Sequence, residues 1–376
     1  MPERYQPAHD AALALADGRV FRGRGFGADV DGSGEAVFTT AMTGYQEVCT
    51  DPSFRGQIVC MTYPLIGNYG VNDDDNESRQ PWIAGLVVRE ASDHPSNWRS
   101  RDTIHAYLER ADIPGIAGID TRALTRHLRS VGDTRAVLVH NAADLVDAEL
   151  VERAKGAKLP GEQDVVGEVR ASQREEIAGA GPHIVVIDCG VKRNIVRSLA
   201  QRGARVTVVP YGTPYGEIEK LRPDGVVVSP GPGDPANLDA GLDVVQHLLE
   251  DGRPYFGICL GHQLLARAIG AETTKLKFGH RGGNHPVIDE ETGRVTITSQ
   301  NHSYVVDGEA FPQGGGWKIA LRNLNDGSVE GIRSEDRPVL SVQFHPEAAP
   351  GPGDNGYLFD RFLTMVAERR AAPAAS

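Results

Sequence analysis

The sequence predicts an α/β protein with two domains: a strand-rich α+β N-terminal domain and a C-terminal domain with a doubly wound, mostly parallel sheet. The 376 residues are too many for one core of ordinary size. From residue 183 onward, apolar strands alternate with helical patterns, as is typical of a parallel sheet with helices on both faces. The first part instead shows short strands and turn signals.

We expect three segments in chain order. An N-terminal domain covers residues 1–150, a connector covers 151–182 and a C-terminal domain covers 183–376. The apolar pattern weakens in the connector, where charged residues, Gly and Ala take over. In the parallel sheet that follows, reactive groups are expected outside the carboxyl ends of the strands.

The N-terminal domain opens with a hairpin signal, in which Asp17-Gly18 separates two apolar runs. The next three glycines, Gly23, Gly25 and Gly27, predict a turn or bulge, because no helix follows them as in a dinucleotide loop.

Two helices are expected later in this domain. The first starts near Asp102, and the second is capped by Asp120 or Thr121 and ends near Gly132. The second helix has a basic face, for which a solvated stripe and a partner-docking role remain equally open. Its residues are Arg122, Arg126 and Arg129.

Composition excludes several classes of function. The formal net charge of -12 argues against nucleic acid as a partner, since binding the phosphate backbone needs clustered Lys and Arg. The sequence has no bilayer-length apolar segment and no secretory signal, so we expect no membrane association. Cys49, Cys60, Cys189 and Cys259 form no C-x-x-C pair, which favours a reducing, cytoplasmic compartment. The first three are expected to be small buried residues.

Cys259 has the surroundings of a nucleophile. It follows the apolar strand 254–258 and precedes the helical run 262–269, with Gly257 and Gly261 two residues to either side. This is the pattern of a nucleophile elbow, with sulfur as the attacking atom. The helix N-terminus favours the thiolate form. The sequence therefore predicts a cysteine acyl-transfer enzyme.

His345-Pro346-Glu347 supplies the remaining groups that such chemistry needs. His345 is the candidate base, and Glu347 is expected to orient its imidazole. Proline favours an extended conformation for the residue before it, and residues two apart in an extended chain share a face. We therefore expect the imidazole and the carboxylate to meet.

Two further loops are candidates for the site. The Leu260 N–H is expected to stabilise the oxyanion, together with an N–H of Gly231 or Gly233 in the loop 229–235, whose prolines have none. That loop lacks the Gly-Lys-Ser/Thr ending of a P-loop, which disfavours nucleotide binding.

Two polar segments lie further along. The segment 280–285 is interpreted as a Gly-rich turn that shapes the pocket; a metal site is disfavoured, because no Cys or carboxylate stands at ligand spacing. The segment 301–304 follows a strand and is interpreted as pocket wall or substrate contact.

The motifs in the two halves resemble those of known families. The C-terminal motifs Gly257-Ile-Cys-Leu-Gly-His-Gln263, Gly231-Pro-Gly-Asp-Pro235 and His345-Pro-Glu347 resemble class I (triad) glutamine amidotransferases. Others resemble the small chains of carbamoyl-phosphate synthase: Thr39-Thr-Ala-Met-Thr-Gly-Tyr-Gln-Glu47, Tyr63-Pro-Leu-Ile-Gly-Asn68, Ile119-Asp-Thr-Arg-Ala-Leu-Thr-Arg126 and Lys277-Phe-Gly-His-Arg-Gly-Gly-Asn-His-Pro286. The resemblance spans nearly the whole chain.

The resemblance implies roles for particular residues. Cys259, His345 and Glu347 would form the catalytic triad of a glutaminase that acts through a cysteinyl thioester. Contacts to L-glutamine would come from Ser53, Gly231, Gly233, Leu260, Gln263, Asn301, Ser303 and Tyr304. Pro230, Ser303 and Phe344 depart from the common family pattern, in which Asn, Gly and Gly are usual. Serine at 303 matters only where a positive φ is needed.

The resemblance also implies a partner. A carbamoyl-phosphate synthase large chain would bind ATP and a divalent metal, and it would consume the ammonia to make carbamoyl phosphate for arginine and pyrimidine synthesis. This chain itself would bind no cofactor and no metal. Since no ATP-using domain follows in the sequence, we expect a separate polypeptide, paired as a heterodimer or a higher oligomer of heterodimers.

Three alternatives remain open at this point. The chain could be the amidotransferase of another synthase, a non-catalytic regulatory scaffold, or a cysteine peptidase.

Overall fold

The structure is a computed structural model that describes residues 10–371. The chain forms two compact units, which divide between Gln163 and Asp164. In the part of the chain that the structure describes, no helix is both long and apolar enough to cross a bilayer.

Within the described residues 10–163, the first unit contains nine strands and four α-helices. Its strands are β1 Ala11–Leu15, β2 Val20–Gly27, β3 Gly32–Thr39, β4 Gln57–Met61, β5 Leu65–Ile66, β6 Gly85–Val87, β7 Glu90–Ala91, β8 Pro114–Ala117 and β9 Thr134–Val139. Its helices are α1 Tyr45–Thr50, α2 Ile104–Glu109, α3 Thr121–Val131 and α4 Asp147–Lys155, with 3₁₀ turns at Pro52–Phe54 and Pro160–Glu162. Seven strands close into a barrel in the order β1-β2-β8-β6-β4-β3-β9, and β5 pairs with β7.

The hairpin predicted around Asp17-Gly18 is confirmed, since β1 and β2 pair antiparallel and Gly18 has a φ of 105°. The turn or bulge predicted at the following glycines is wrong, because all three lie within β2 and its pairing with β1 and β8 has no register shift. A Cβ on Gly23 would stand 2.3 Å from the Ala117 carbonyl oxygen. Glycine at this position lets β8 approach β2 closely.

Both predicted helices are present. Thr103 caps α2 by accepting the Ala106 N–H at 3.1 Å, so the cap lies one residue after Asp102. Asp120 caps α3 by accepting the Ala123 N–H at 2.9 Å, and α3 ends at Val131 with Gly132 as its C-cap, near the predicted end. The three arginines of α3 are exposed, which is compatible with either interpretation of this face.

The part of the second unit that the structure describes, residues 164–371, contains ten strands and six α-helices. Its strands are β10 Glu175–Ile177, β11 His183–Asp188, β12 Arg205–Pro210, β13 Gly225–Val228, β14 Tyr255–Ile258, β15 Thr273–Asp289, β16 Val295–Val306, β17 Trp317–Asn323, β18 Val329–Ser334 and β19 Val339–Val342. Its helices are α5 Val165–Val169, α6 Arg193–Gln201, α7 Tyr215–Lys220, α8 Asp239–Asp251, α9 Leu260–Ala268 and α10 Tyr357–Ala371, with a 3₁₀ turn at Pro235–Asn237.

These ten strands form one sheet in the order β10-β12-β11-β13-β14-β19-β18-β16-β15-β17. Strands β12, β11, β13, β14 and β19 pair parallel, and the strands beyond β19 pair antiparallel. Helices α8 and α9 supply one apolar cluster, and α6 and α10 supply another. The predicted α/β class, with a largely parallel sheet covered by helices, is confirmed.

The segment predicted as a connector, 151–182, contains regular structure. It holds the end of α4 in the first unit, and α5 and the edge strand β10 in the second. Strand β10 pairs antiparallel with β12. The division between the compact units falls inside this segment.

Parallel pairing brings three loops to one edge of the sheet. Val228 of β13 lies opposite Gly257 of β14, and Ile258 of β14 lies opposite Val342 of β19. The segments that follow these three strands therefore leave the sheet at the same edge. Those segments carry Gly231, Cys259 and His345.

Candidate active site

Cys259 occupies a sharp turn between β14 and α9. Its φ of 51° and ψ of −101° are conformations that a residue with a side chain seldom adopts, at a cost of order 1–3 kcal/mol. Its N–H donates to the Val342 carbonyl at 2.8 Å, which ties the turn to β19. The predicted elbow geometry is present.

The two glycines that flank Cys259 make this turn possible. A Cβ on Gly257 would lie 2.6 Å from the Gly261 carbonyl oxygen. A Cβ on Gly261 would lie 2.2 Å from the Val228 carbonyl oxygen, against β13. Any side chain at either position would push the first turn of α9 away from the sheet.

The sulfur of Cys259 lies in a polar, almost closed environment, and the residue is only 2% exposed. Its Sγ is 3.8 Å from the Asn301 carbonyl oxygen, to which a thiol donates. The side-chain amide of Gln343 donates to Sγ from Nε2 at 3.6 Å. No sequence motif pointed to Gln343, although it stands just beyond β19 and two residues before His345.

His345 and Glu347 meet as expected, with His345 Nδ1 2.7 Å from Glu347 Oε1. The extended segment expected for all three residues is wrong for Pro346 and Glu347, which lie in a turn, whereas His345 itself forms a β-bridge with Ser299. The Ala348 N–H donates to the His345 carbonyl at 3.1 Å and closes this turn. The His345 N–H donates to the Ser299 carbonyl at 2.8 Å, which anchors the histidine to β16.

Electrostatic interactions favour the charged forms of this pair. Burial alone would lower the pKa of His345, but the Glu347 carboxylate and the interaction with Cys259 raise it to about 10. Burial would raise the pKa of Glu347, but the cations of Lys192 and His345 lower it to about 2. Nε2 of His345 is buried and makes no hydrogen bond with the residues described, so it remains available to a reacting group.

Lys192 is a second residue that the sequence analysis missed. Its Nζ lies 3.0 Å from Glu347 Oε1, and the side chains are 2% and 0% exposed. Nζ also donates to the Ala348 carbonyl. A signal existed, because Lys192 follows Asp188 at the carboxyl end of β11, where site residues of such sheets gather.

The candidate oxyanion donors lie on two backbone segments. Leu260 opens α9, and N–H groups in the first turn of a helix have no carbonyl partner within it. Gly231 packs closely, because a Cβ there would stand 2.3 Å from the Cys189 carbonyl oxygen. Gly233 has a φ of 93°, which favours glycine. Their role as donors stays a prediction.

The other glutamine contacts that the resemblance implied fall on several elements. Gln263 lies on α9 and donates from Nε2 to the Tyr304 carbonyl at 2.9 Å. Asn301, Ser303 and Tyr304 lie within β16 and not after it, because β16 extends to Val306. Ser53 lies in the first unit, where its buried hydroxyl has no hydrogen-bond partner among residues 10–371.

Three residues depart from the common family pattern, and the structure shows what each of them contacts. Ser303 lies in a strand and is not among the residues with positive φ, and its hydroxyl accepts a hydrogen bond from Arg281. Phe344 is 1% exposed and belongs to an apolar cluster. The Pro230 carbonyl accepts from Ser229 Oγ at 2.8 Å.

The Gly-rich turn predicted at 280–285 is wrong, since the segment lies in β15 with register shifts in its pairing to β16. Folding brings His280, His302 and Glu330 together, with ligand-type atoms within 4.8 Å of one another. Both Glu330 oxygens already accept hydrogen bonds, from Asn323 and Gln300. These groups form a buried polar network on the neighbouring strands β15, β16 and β18.

Comparison with known proteins assigns the second unit, which carries this site, to a class of proteins. Residues 185–365 match the family described as glutamine amidotransferase class-I. The elbow, the nearby histidine and the carboxylate all lie within that range. The second unit is therefore a class I glutamine amidotransferase domain.

The first unit and the full-length relatives identify the family. Residues 13–138 match the carbamoyl-phosphate synthase small chain, CPSase domain. Carbamoyl phosphate synthase small chains from Staphylococcus epidermidis and Symbiobacterium thermophilum are each 50% identical over 94% of this chain, covering 95% and 97% of their own lengths. A pyrimidine-specific small chain from Halalkalibacterium halodurans is 48% identical over 94% of this chain and 96% of its own. The chain belongs to the family of carbamoyl phosphate synthase small chains.

Proposed function

We propose that this chain hydrolyses L-glutamine to glutamate and ammonia through a cysteinyl thioester formed on Cys259. The observation that carries the proposal is the arrangement of a strained, buried cysteine next to an imidazole that is held charged by Glu347. A thiolate paired with an imidazolium is the reactive form of such a cysteine.

The first half-reaction makes the thioester. The thiolate of Cys259 attacks the side-chain amide carbon of glutamine, and the carbonyl oxygen becomes an oxyanion. N–H groups of Leu260 and of Gly231 or Gly233 stabilise this charge. The imidazolium of His345 gives its proton to the nitrogen, the C–N bond breaks, and ammonia leaves.

The second half-reaction releases glutamate. The neutral imidazole of His345 takes a proton from water, which attacks the thioester carbon. The C–S bond then breaks, so that the products are glutamate and the Cys259–His345 ion pair. Glu347 keeps the imidazole in one orientation through both steps, and Lys192 keeps Glu347 ionised.

The ammonia serves a partner in this proposal. Family membership supports a carbamoyl-phosphate synthase large chain, which binds ATP and a divalent metal and makes carbamoyl phosphate from bicarbonate. The two chains form a heterodimer, alone or within a larger oligomer, and supply arginine and pyrimidine synthesis. Ammonia in neutral water is mostly protonated and cannot attack, so direct transfer between the chains avoids this loss.

The test is glutamate release from glutamine by the wild-type chain and by Cys259→Ala, each with and without a large chain and its ATP substrates. The proposal predicts release that requires Cys259 and rises when the large chain and ATP are present. Glutamate release at the same rate with and without the large chain would indicate that this protein serves another synthase. A wild-type complex that releases no glutamate would make the chain a non-catalytic scaffold.

A further inference from the structure

A line of side-chain amides connects the substrate-facing strand β16 to the sulfur of Cys259. Gln263 Nε2 lies 2.9 Å from the Tyr304 carbonyl oxygen and 3.1 Å from Gln343 Oε1. Gln343 Nε2 then lies 3.6 Å from Sγ. Gln343 is fully buried and Gln263 is 3% exposed, so water does not compete for these contacts.

The direction of these hydrogen bonds follows from the group at their far end. The Tyr304 backbone carbonyl can only accept, so the end of Gln263 that faces it must be the amino group. The same amino group faces Gln343, which must therefore present its oxygen to Gln263. The other end of the Gln343 amide, its NH₂ group, is left pointing at Sγ.

This direction matters because, besides the His345 imidazole, the sulfur has two hydrogen-bonding neighbours with opposite preferences. The Asn301 carbonyl oxygen, 3.8 Å away, accepts from a thiol and repels a thiolate. The Gln343 amide donates to either form and binds the charged form more strongly. Gln343 thus offsets the repulsion between this backbone oxygen and a thiolate, and it does so alongside the positive charge of His345.

We propose that Gln343 is a positioning residue that donates to Sγ of Cys259 and stabilises its thiolate, with Gln263 and the Tyr304 carbonyl fixing the direction of that donor. The inference rests on Cys259 acting as the nucleophile of the proposed glutaminase. It also links the substrate pocket to the nucleophile, since a change at Gln263 alters what Gln343 presents to sulfur.

The test compares wild type with Gln343→Met, which keeps the length of the side chain and removes the donor. Steady-state glutamine hydrolysis is measured from pH 6 to 10 in the complex with the large chain. We expect kcat/KM at neutral pH to fall about tenfold, the loss of one hydrogen bond to a charged group. The acid limb of the profile should move to higher pH, and much of the loss should be recovered at high pH.

Gln343→Glu is a nearly isosteric second variant that presents an anion to the sulfur once it ionises. It should move the acid limb further in the same direction. Gln300→Met is the matched control, because it removes a buried amide that bonds to Glu330 and has no contact with Sγ. Its profile should keep the wild-type acid limb, and thermal unfolding checks that each variant is folded.

The outcomes separate this inference from the proposed function. Wild-type hydrolysis that disappears in Cys259→Ala upholds the nucleophile, whatever the Gln343 variants do. If folded Gln343→Met and Gln343→Glu then keep the wild-type acid limb, Gln343 only fills space and the inference is overturned. A shift of the same size in Gln300→Met would also overturn it.

Discussion

Lys192 and Glu347 form a buried ion pair, with Nζ 3.0 Å from Oε1 and side chains that are 2% and 0% exposed. The pair lies behind His345, whose Nδ1 is bonded to the same carboxylate oxygen. Lys192 therefore acts on His345 through Glu347, because it keeps that carboxylate ionised.

Lys192→Met should lower both stability and activity. Removing one partner of a buried pair leaves the other charge uncompensated and costs roughly 3–5 kcal/mol. Urea unfolding should show a lower free energy of unfolding, and glutamine hydrolysis should show a lower kcat. Lys220→Met is the control, because its pair with Glu217 is 72% and 60% exposed and should contribute less than about 1 kcal/mol. Equal effects of the two substitutions would contradict the account of Lys192.

Stability should also depend on pH through His262. This histidine is fully buried, and burial lowers its pKa from 6.5 to about 3. Below pH 6.5 the unfolded chain binds a proton at His262 that the folded chain does not, so the stabilisation present above pH 6.5 is lost as pH falls toward 3. His262→Asn should reduce the slope of unfolding free energy against pH by up to about 1.4 kcal/mol per unit between pH 6 and 4. Urea titrations at several pH values measure this slope, and parallel curves for the two proteins would contradict the prediction.

The loop after β13 should not tolerate a methyl group at Gly231. A Cβ there would stand 2.3 Å from the Cys189 carbonyl oxygen and 2.8 Å from a Leu260 methyl group, so the loop must move away from the nucleophile. Gly231→Ala should lower kcat at least tenfold, because this loop carries both candidate oxyanion donors, Gly231 and Gly233, and loss of one such donor costs about 100-fold or more. Gly216→Ala is the control, since a Cβ there meets nothing within 4 Å. Because Gly216 lies in α7, Gly216→Ala should raise the free energy of unfolding slightly, by about 0.5–1 kcal/mol.

Ser303→Gly should have little effect on glutamine binding. Ser303 lies in a strand without positive φ, and its hydroxyl is occupied by Arg281. If the contact to glutamine is made by the backbone, KM should change by less than about threefold, less than one ordinary hydrogen bond. A much larger rise in KM would show that the hydroxyl itself binds the substrate.

The sequence was sufficient for the parts of the site that depend on local pattern. The nucleophile elbow could be predicted because such a turn requires glycines at fixed offsets from the nucleophile. The structure places Gly257, Cys259 and Gly261 in this turn. Alternating strands and helices predicted the parallel sheet in the same way. The family-specific motifs of the first half identified the family that the comparisons then established.

Other parts depend on contacts between residues distant in sequence. Lys192 and Glu347 are 155 positions apart, and no local pattern pairs them. Gln343 gains its place near sulfur only because β19 pairs with β14. Gly23 was predicted to lie in a turn or bulge. The group that requires glycine there, the Ala117 carbonyl, lies on another strand, so the local sequence pattern does not reveal it.

The most direct test of the central claim uses Cys259→Ser in the complex with the large chain. Carbamoyl phosphate synthesis is measured with glutamine and, separately, with added ammonia. We expect that synthesis from glutamine is lost while synthesis from ammonia continues at the wild-type rate. Retention of glutamine-dependent synthesis by this variant would contradict the claim that Cys259 is the nucleophile that releases the ammonia.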